Sequence, residues 1–234
     1  MAVAPPTIAV VIPTLNEAQC IADTLQQALA HAFDEYVVVD GGSTDGTPEI
    51  VRALPAAHPT TCLLSTAGRA VQMNTGAAAV RSDVVLFLHA DTRLPTDARR
   101  AIQTAMQDPA CVGGRFDVQF DRHTLVSRTI SALMNRRSRW TGMMTGDQAM
   151  FVRTVRFGEV GGFATIPLME DLDLSRRLKR LGPIAALRAR VTTSYRRWER
   201  DGPIRTIVRM WALRFAYWLG VTPATLARHY RPVR

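Results

Sequence analysis

Apolar and polar positions along the first half of the chain switch repeatedly between two periods. Ile8–Ile12 is a short continuous apolar run closed by Pro13, the pattern of a buried strand. Asn16, with Gln19 three positions on, reads as a helix N-terminus, after which Ile21, Leu25, Ala28, Leu29 and Ala32 recur at helical spacing. Tyr36–Val39 is the next strand, ending at Asp40 and a Gly-Gly turn. A helix over Thr47–Ala53, a strand around Thr61–Leu64, an alanine-rich helix over Gly68–Arg81 and a buried strand at Val84–His89 follow. Strand and helix alternating at this spacing predict a doubly wound, mostly parallel α/β sheet.

The second half is less regular. Val112–Phe120 reads as a long strand interrupted by Gly113-Gly114, Thr124–Arg137 as a helix, and Gln148–Val152 as an apolar strand. Glu170–Leu181 reads as a helix ended by Gly182-Pro183. Residues 203–219 form a helix with an apolar stripe of Ile204, Ile207, Val208, Trp211, Phe215, Trp218 and Leu219, flanked by Arg205, Arg209 and Arg214.

In such sheets ligands bind beyond the carboxyl ends of the strands. Three polar clusters fall there: Pro13–Glu17, Asp40–Gly46 and His89-Ala90-Asp91. In the second, Asp40 offers an acceptor to a base or ribose, and the glycines permit close backbone approach. Neither a Walker loop nor a Gly-x-Gly-x-x-Gly follows the first strand, which counts against a dinucleotide site. Asp91 at a strand end beside a diphosphate would suit a hard divalent cation. Glu170, Asp171 and Asp173 open a helix and offer a general base. Arg196 and Arg197 beside Trp198 suit phosphate, while His31, His58, His123 and His229 show no ligand spacing and read as surface residues.

Composition refines this picture. At 234 residues with 47% hydrophobic side chains, the chain can bury a sizeable core, and disorder, collagen and coiled coil are excluded. The uncharged first sixteen residues are broken by Pro5, Pro6 and Pro13 and lack a basic start, unlike a signal peptide; the later uncharged run Phe215–Ala227 is too short to span a bilayer. Cys20, Cys62 and Cys111 match no metal spacing and suggest a reduced, cytoplasmic setting. Charge is unevenly placed: residues 1–175 carry a net −4, and residues 176–234 a net +13 with two acidic side chains. Such a tail suits a polyanionic partner such as an anionic membrane surface. No nucleic-acid motif accompanies it.

Taken in order, Val10-Val-Ile-Pro-Thr-Leu-Asn-Glu17, Val37-Val-Val-Asp-Gly-Gly-Ser-Thr-Asp-Gly46, Gly68-Arg69, His89-Ala-Asp91, Gly146-Asp-Gln148, Glu170-Asp171 and Arg197-Trp198 resemble family 2 glycosyltransferases of the GT-A fold over about residues 7–200. The resemblance implies inverting transfer of a sugar from a nucleotide-diphosphate donor to an acceptor, either a small molecule or lipid-linked. It implies a catalytic domain over 1–200, with a nucleotide half over 7–112 and an acceptor half over 113–200, and a basic helical tail over 201–234. By match to the family, Glu17, Asp40 and Asp45 would hold the nucleoside. Pro13, Asn16, Gly41, Arg69, Ala90, Gln148, Arg197 and Trp198 would complete the donor site. Asp91 would carry Mg²⁺ or Mn²⁺, Asp171 would be the base and Glu170 its support.

Two positions depart from the family pattern. His89 stands where the metal motif has its first Asp, as in a small group of soluble bacterial members, and Ser194 replaces the Gln of the processive Gln-x-x-Arg-Trp signature. Two rivals remain. A sugar-phosphate nucleotidyltransferase would put a Gly-rich basic loop after the first strand. A non-catalytic module would use the basic tail on an anionic membrane. The expected location of the chain is cytoplasmic, with peripheral contact at the inner membrane face as an option. The stripe of residues 203–219 fits either packing on the catalytic body or membrane contact.

Overall fold

The computed structural model describes residues 4–54 and 60–230; His58 lies outside them. The strands are β1 (Ile8–Thr14), β2 (Glu35–Asp40), β3 (Thr60–Leu64), β4 (Val84–Phe87), β5 (Thr92–Arg93), β6 (Gly113–Phe120), β7 (Phe151–Arg153) and β8 (Ile184–Thr193). They form one sheet in the order β3-β2-β1-β4-β7-β6-β8-β5. The first four are mutually parallel. β7 runs antiparallel to both β4 and β6, β8 parallel to β6, and β5 antiparallel to β8. This is the doubly wound α/β sheet expected, and β7 and β5 add antiparallel pairings to it.

The alternation of side chains in β1 explains the layers. Ile8, Val10 and Ile12 pack with Ile21, Leu25 and Ala28 of α1 (Ile21–Leu29) and Ile102 of α4 (Ala98–Ala105). Ala9 and Val11 face the other way, toward Ala70 and Met73 of α3 (Arg69–Ala79) and Leu174 of α7 (Glu170–Leu178). Both faces are therefore covered, as a parallel sheet requires. The remaining helices are α2 (Thr47–Ala53), α5 (Leu125–Thr141), α6 (Thr154–Glu159), α8 (Arg196–Asp201), α9 (Pro203–Trp218) and α10 (Pro223–Arg228).

Several local expectations are corrected. Pro13 does not end β1, which continues to Thr14; β4 runs beside β1 only as far as Val11, so the ring meets β2 alone. Asn16 does not cap α1: it takes a left-handed conformation (φ 56°), and the helix starts five residues later, after Cys20, with no side-chain cap. β4 stops at Phe87, placing His89-Ala90-Asp91 in the following turn. Gly113-Gly114 is not an interruption but a close crossing, since a Cβ on Gly114 would lie 2.4 Å from Phe151 Cζ and 2.6 Å from the Ala185 carbonyl oxygen.

The expected stripe on α9 faces solvent except at Ile207, which packs on the cluster of Phe120, Ile130 and Tyr195. Leu213 and Thr206 are its buried residues, with Leu213 packed against Leu172 of α7 and Leu226 of α10. Trp211, Phe215 and Trp218 are instead 60–71% exposed, so packing on the body does not account for them. No helix among the described residues is long and apolar enough to cross a membrane.

Candidate active site

The loops after β1 and β2 are laced together. Asn16 N–H donates to Ser43 Oγ (2.8 Å), Thr44 N–H to Asn16 Oδ1 (2.9 Å), Glu17 N–H to Thr47 Oγ1 (2.9 Å) and Ala18 N–H to Asp45 Oδ2 (2.9 Å). Asp45 also accepts from Thr47 N–H and Oγ1; burial pushes its carboxyl up, but these hydrogen bonds and that from Ala18 together outweigh it and hold the carboxyl below the usual range. Asp40 is 1% exposed, and its carboxylate accepts from Gly42 N–H, Ser43 N–H, Ser43 Oγ and Thr14 Oγ1. Its oxygens are engaged by its own loop and by Thr14. Beneath Gly41 lies Gln72, whose amide donates to the carbonyls of Thr14 (2.6 Å) and Val39 (2.9 Å). A Cβ on Gly41 would stand 3.1 Å from that amide, so a larger residue here has to displace the doubly hydrogen-bonded Gln72.

In the turn after β4, Ala90 is buried and its carbonyl accepts from Thr24 Oγ1 (2.6 Å), which fixes the backbone between His89 and Asp91. His89 Nδ1 lies 3.5 Å from Asp147, and its Nε2 is buried without a hydrogen-bond partner. The cleft favours the neutral form of Asp147, but His89, Arg69 and Arg197 outweigh it and hold the carboxyl well below the usual range. Asp91 faces Arg196 at 3.5 Å. No group of three or more His, Cys, Asp or Glu among the described residues could cage a metal. The donor set at Asp91 thus fits a hard cation that shares its shell with water and phosphate oxygens, not a protein-only site.

Glu170 and Asp171 open α7, with Met169 before them in a left-handed conformation (φ 71°). Glu170 is buried, 3.8 Å from Arg69. Asp171 accepts from Gly146 N–H (3.1 Å) and Leu172 N–H (2.8 Å). Burial first, then the Glu170 carboxylate, pushes the Asp171 carboxyl up to about 6, against those two bonds and Arg69. Asp173 turns away to Arg177 (2.7 Å) and leaves the group.

A cavity of about 550 Å³ opens beyond these strand ends. Of the residues expected in the site, Glu17, Arg69, Asp91, Arg197 and Trp198 line it. Pro13, Asn16, Asp40, Gly41, Asp45 and Ala90 shape the backbone around it instead. Gln148 is fully buried and receives hydrogen bonds from Thr145, so it buttresses the 146–148 turn and does not reach the cavity. Glu170 and Asp171 do not line the cavity; Asp171 accepts from Gly146 N–H, one residue before Asp147 of the wall. Arg197 donates to Tyr230 Oη and lies over its ring, while Trp198 packs on Phe120. The opposite walls come from α5 and α9, including Arg137, Trp140, Trp211 and Arg214. None of these four was singled out for the site from sequence. The only trace of Arg214 was its place beside the α9 stripe.

The chain belongs to glycosyl transferase family 2, whose model matches residues 9–166. It is 33% identical over 140 residues to glycosyltransferase AglJ of Haloferax volcanii, covering 56% of this chain and 44% of that protein. It is 29% identical over 163 residues to an undecaprenyl-phosphate 4-deoxy-4-formamido-L-arabinose transferase of Edwardsiella ictaluri, covering 64% and 49%. The chain therefore spans about half the length of these curated relatives. Among solved structures it resembles mannosyltransferase PcManGT of Pyrobaculum calidifontis in complex with GDP-Man and Mn²⁺, with TM-score 0.66, 22% identity and coverage of 99% of this chain and 66% of that one. It also resembles residues 1–349 of S. aureus TarS, with TM-score 0.65, 16% identity and coverage of 90% and 65%. At these identities the structural likeness establishes a shared GT-A-like fold.

Proposed function

We propose that the chain transfers a sugar from a nucleotide-diphosphate donor, with inversion, using Asp171 as the base. The observation that carries this is the raised carboxyl of Asp171, which accepts from Gly146 N–H, the residue before Asp147 on the cavity wall. The nucleoside lies against the laced loops at Glu17 and Asp45, and the diphosphate reaches Arg69 and Arg197. Asp91 holds a divalent cation, Mg²⁺ or Mn²⁺, which supplies charge neutralisation to the diphosphate when bound. PcManGT with GDP-Man and Mn²⁺, and TarS with UDP and UDP-GlcNAc, support a donor of this class.

The acceptor nucleophile forms its bond to the anomeric carbon while the bond to the β-phosphate oxygen breaks, that electron pair leaving with the nucleoside diphosphate. The acceptor's proton passes to Asp171. Arg69 and Arg197 meet the charge that grows on the leaving group. Glu170 supports Asp171 by keeping its proton affinity high and by placing Arg69. A thermal-shift panel of UDP, GDP, ADP and CDP with and without Mn²⁺ tests the donor reading. Stabilisation by at least one nucleotide, enhanced by the metal, is expected. No response to any of them rejects it.

The exposed aromatic face of α9, together with the arginines of the tail, supports peripheral contact with an anionic bilayer. Co-sedimentation with phosphatidylglycerol vesicles, lost in W211A/W218A and at high salt, is the expected result. Retention in the supernatant at low salt rejects it.

A further inference from the structure

The cavity has two chemically different ends. At the donor end Arg69 faces the Glu170 carboxylate at 3.8 Å, and His89 Nδ1 lies beside Asp147. At the α5–α9 end two arginines have no carboxylate partner among the described residues. Arg137 Nε and Nη2 and Arg214 Nε are buried and have no hydrogen-bond partner, although both side chains line the cavity. Arg137 feels the carboxylates of Asp171 and Asp147 through space, and its buried Nε and Nη2 donate to neither. Of the other guanidiniums on these walls, Arg196 is committed to Asp91 and Arg136 stacks over Trp140. Buried donors left unmatched carry a desolvation cost that a bound oxyanion removes.

Two such guanidiniums, from two different helices, match the double charge of a phosphate group better than the single charge of a carboxylate. Around them the same walls are apolar: Leu133, Met134 and Trp140 from α5, Ile207 and Trp211 from α9. Leu133 is 59% exposed and Trp211 68%, which leaves a greasy groove open beside the charge.

We propose that the acceptor carries a phosphate group, bound between Arg137 and Arg214, with an apolar portion laid along the α5–α9 groove. The assignment of this anion as the acceptor rests on the transferase reading above. The phosphate can belong to a lipid or to a soluble phosphate ester, and the two are separable by experiment.

Three of the chain's four tryptophans, Trp140, Trp198 and Trp211, line the cavity, so intrinsic fluorescence reports its occupancy. The probes are octyl phosphate, glycerol 3-phosphate and octyl glucoside, titrated into the full chain below their micelle concentrations. Octyl phosphate is expected to bind more tightly than octyl glucoside. R137M and R214M should each weaken it roughly tenfold or more, the usual effect of losing a charge-assisted hydrogen bond. R137K, which keeps the charge and loses the fork, should fall between. Tighter binding of octyl phosphate than of glycerol 3-phosphate identifies a lipid-linked acceptor, and equal binding a soluble one. Equal affinity for octyl phosphate and octyl glucoside overturns the proposal. So does unchanged octyl phosphate binding in both methionine variants whose melting temperatures match the wild type. A nucleoside-diphosphate titration of the wild type separates the two readings: nucleotide binding without Arg-dependent phosphate binding defeats only this inference. Arg-dependent phosphate binding with no nucleotide binding defeats the transferase reading and, with it, the assignment of the anion as acceptor.

Discussion

The proton affinity of Asp171 makes a quantitative demand on the reaction. A base with a pKa of about 6 is roughly nine-tenths ionised at pH 7 and about one-tenth at pH 5, so turnover should fall close to tenfold between them. An ordinary Asp, near 3.8, would still be almost wholly ionised at pH 5. Glu170 on the same helix raises the value, as burial does, whereas Arg69 and the N–H groups of Gly146 and Leu172 lower it. Arg137 and Asp147 complete the charges around it. E170Q should therefore shift the acidic limb of kcat to lower pH. D171N should lower turnover by roughly two to four orders of magnitude while nucleotide still binds. Stability gives an independent check. A carboxyl whose folded value exceeds its unfolded one favours folding fully below pH 4, and that contribution is lost as pH rises through about 6. D171N, neutral throughout, should melt above the wild type at pH 7.5 and lose the advantage at pH 4. Wild-type turnover in D171N, or an acidic limb below pH 4.5, would refute the assignment.

Arg196 occupies the carboxylate that the cation needs, 3.5 Å from Asp91, so R196Q should lower several-fold the Mn²⁺ concentration required for half-maximal nucleotide stabilisation. An unchanged requirement in the same titration would show that the pair does not compete. G114A drives a methyl group into Phe151 and the Ala185 carbonyl and should cost about 1–3 kcal/mol in urea unfolding, the range for overpacking; a neutral result would mean that β6 can shift away from β7. Q72L strips the donor from the Thr14 and Val39 carbonyls and should cost about 1–3 kcal/mol in the same assay, together with weaker nucleotide binding. Nucleotide affinity equal to the wild type would detach that amide from the donor loops.

The donor side was legible because its residues are contiguous with strands whose apolar runs are unmistakable. What spacing alone did not reveal was how Asp40 uses its oxygens, since a carboxylate at a strand end can face outward or fold onto its own loop. The α5–α9 side of the cavity was hidden for a different reason. β8 reads Ile184-Ala-Ala-Leu-Arg-Ala-Arg190, half-buried with exposed arginines and no clean period, because one of its neighbours is the two-residue strand β5. The cavity walls are assembled from α5, the end of β8 and α9, far apart in sequence. α9 carries apolar residues on both faces, so periodicity detected a stripe without deciding that Leu213 goes inward and Trp211 outward.

The place of β7 has a consequence for anyone dividing or recombining this chain. Val84–Phe87 is wholly buried, yet one flank of that strand is closed only by Phe151–Arg153, whose other flank closes Gly113-Gly114. A cut near residue 112 follows the apparent border between nucleotide and acceptor halves, but it removes the strand that joins them. The amino-terminal fragment would expose an apolar edge ready to pair with any other chain. The two segments exchange as a unit or not at all, and because β8 in turn closes β6 and β5, a viable chimaeric junction in this sheet lies after residue 193.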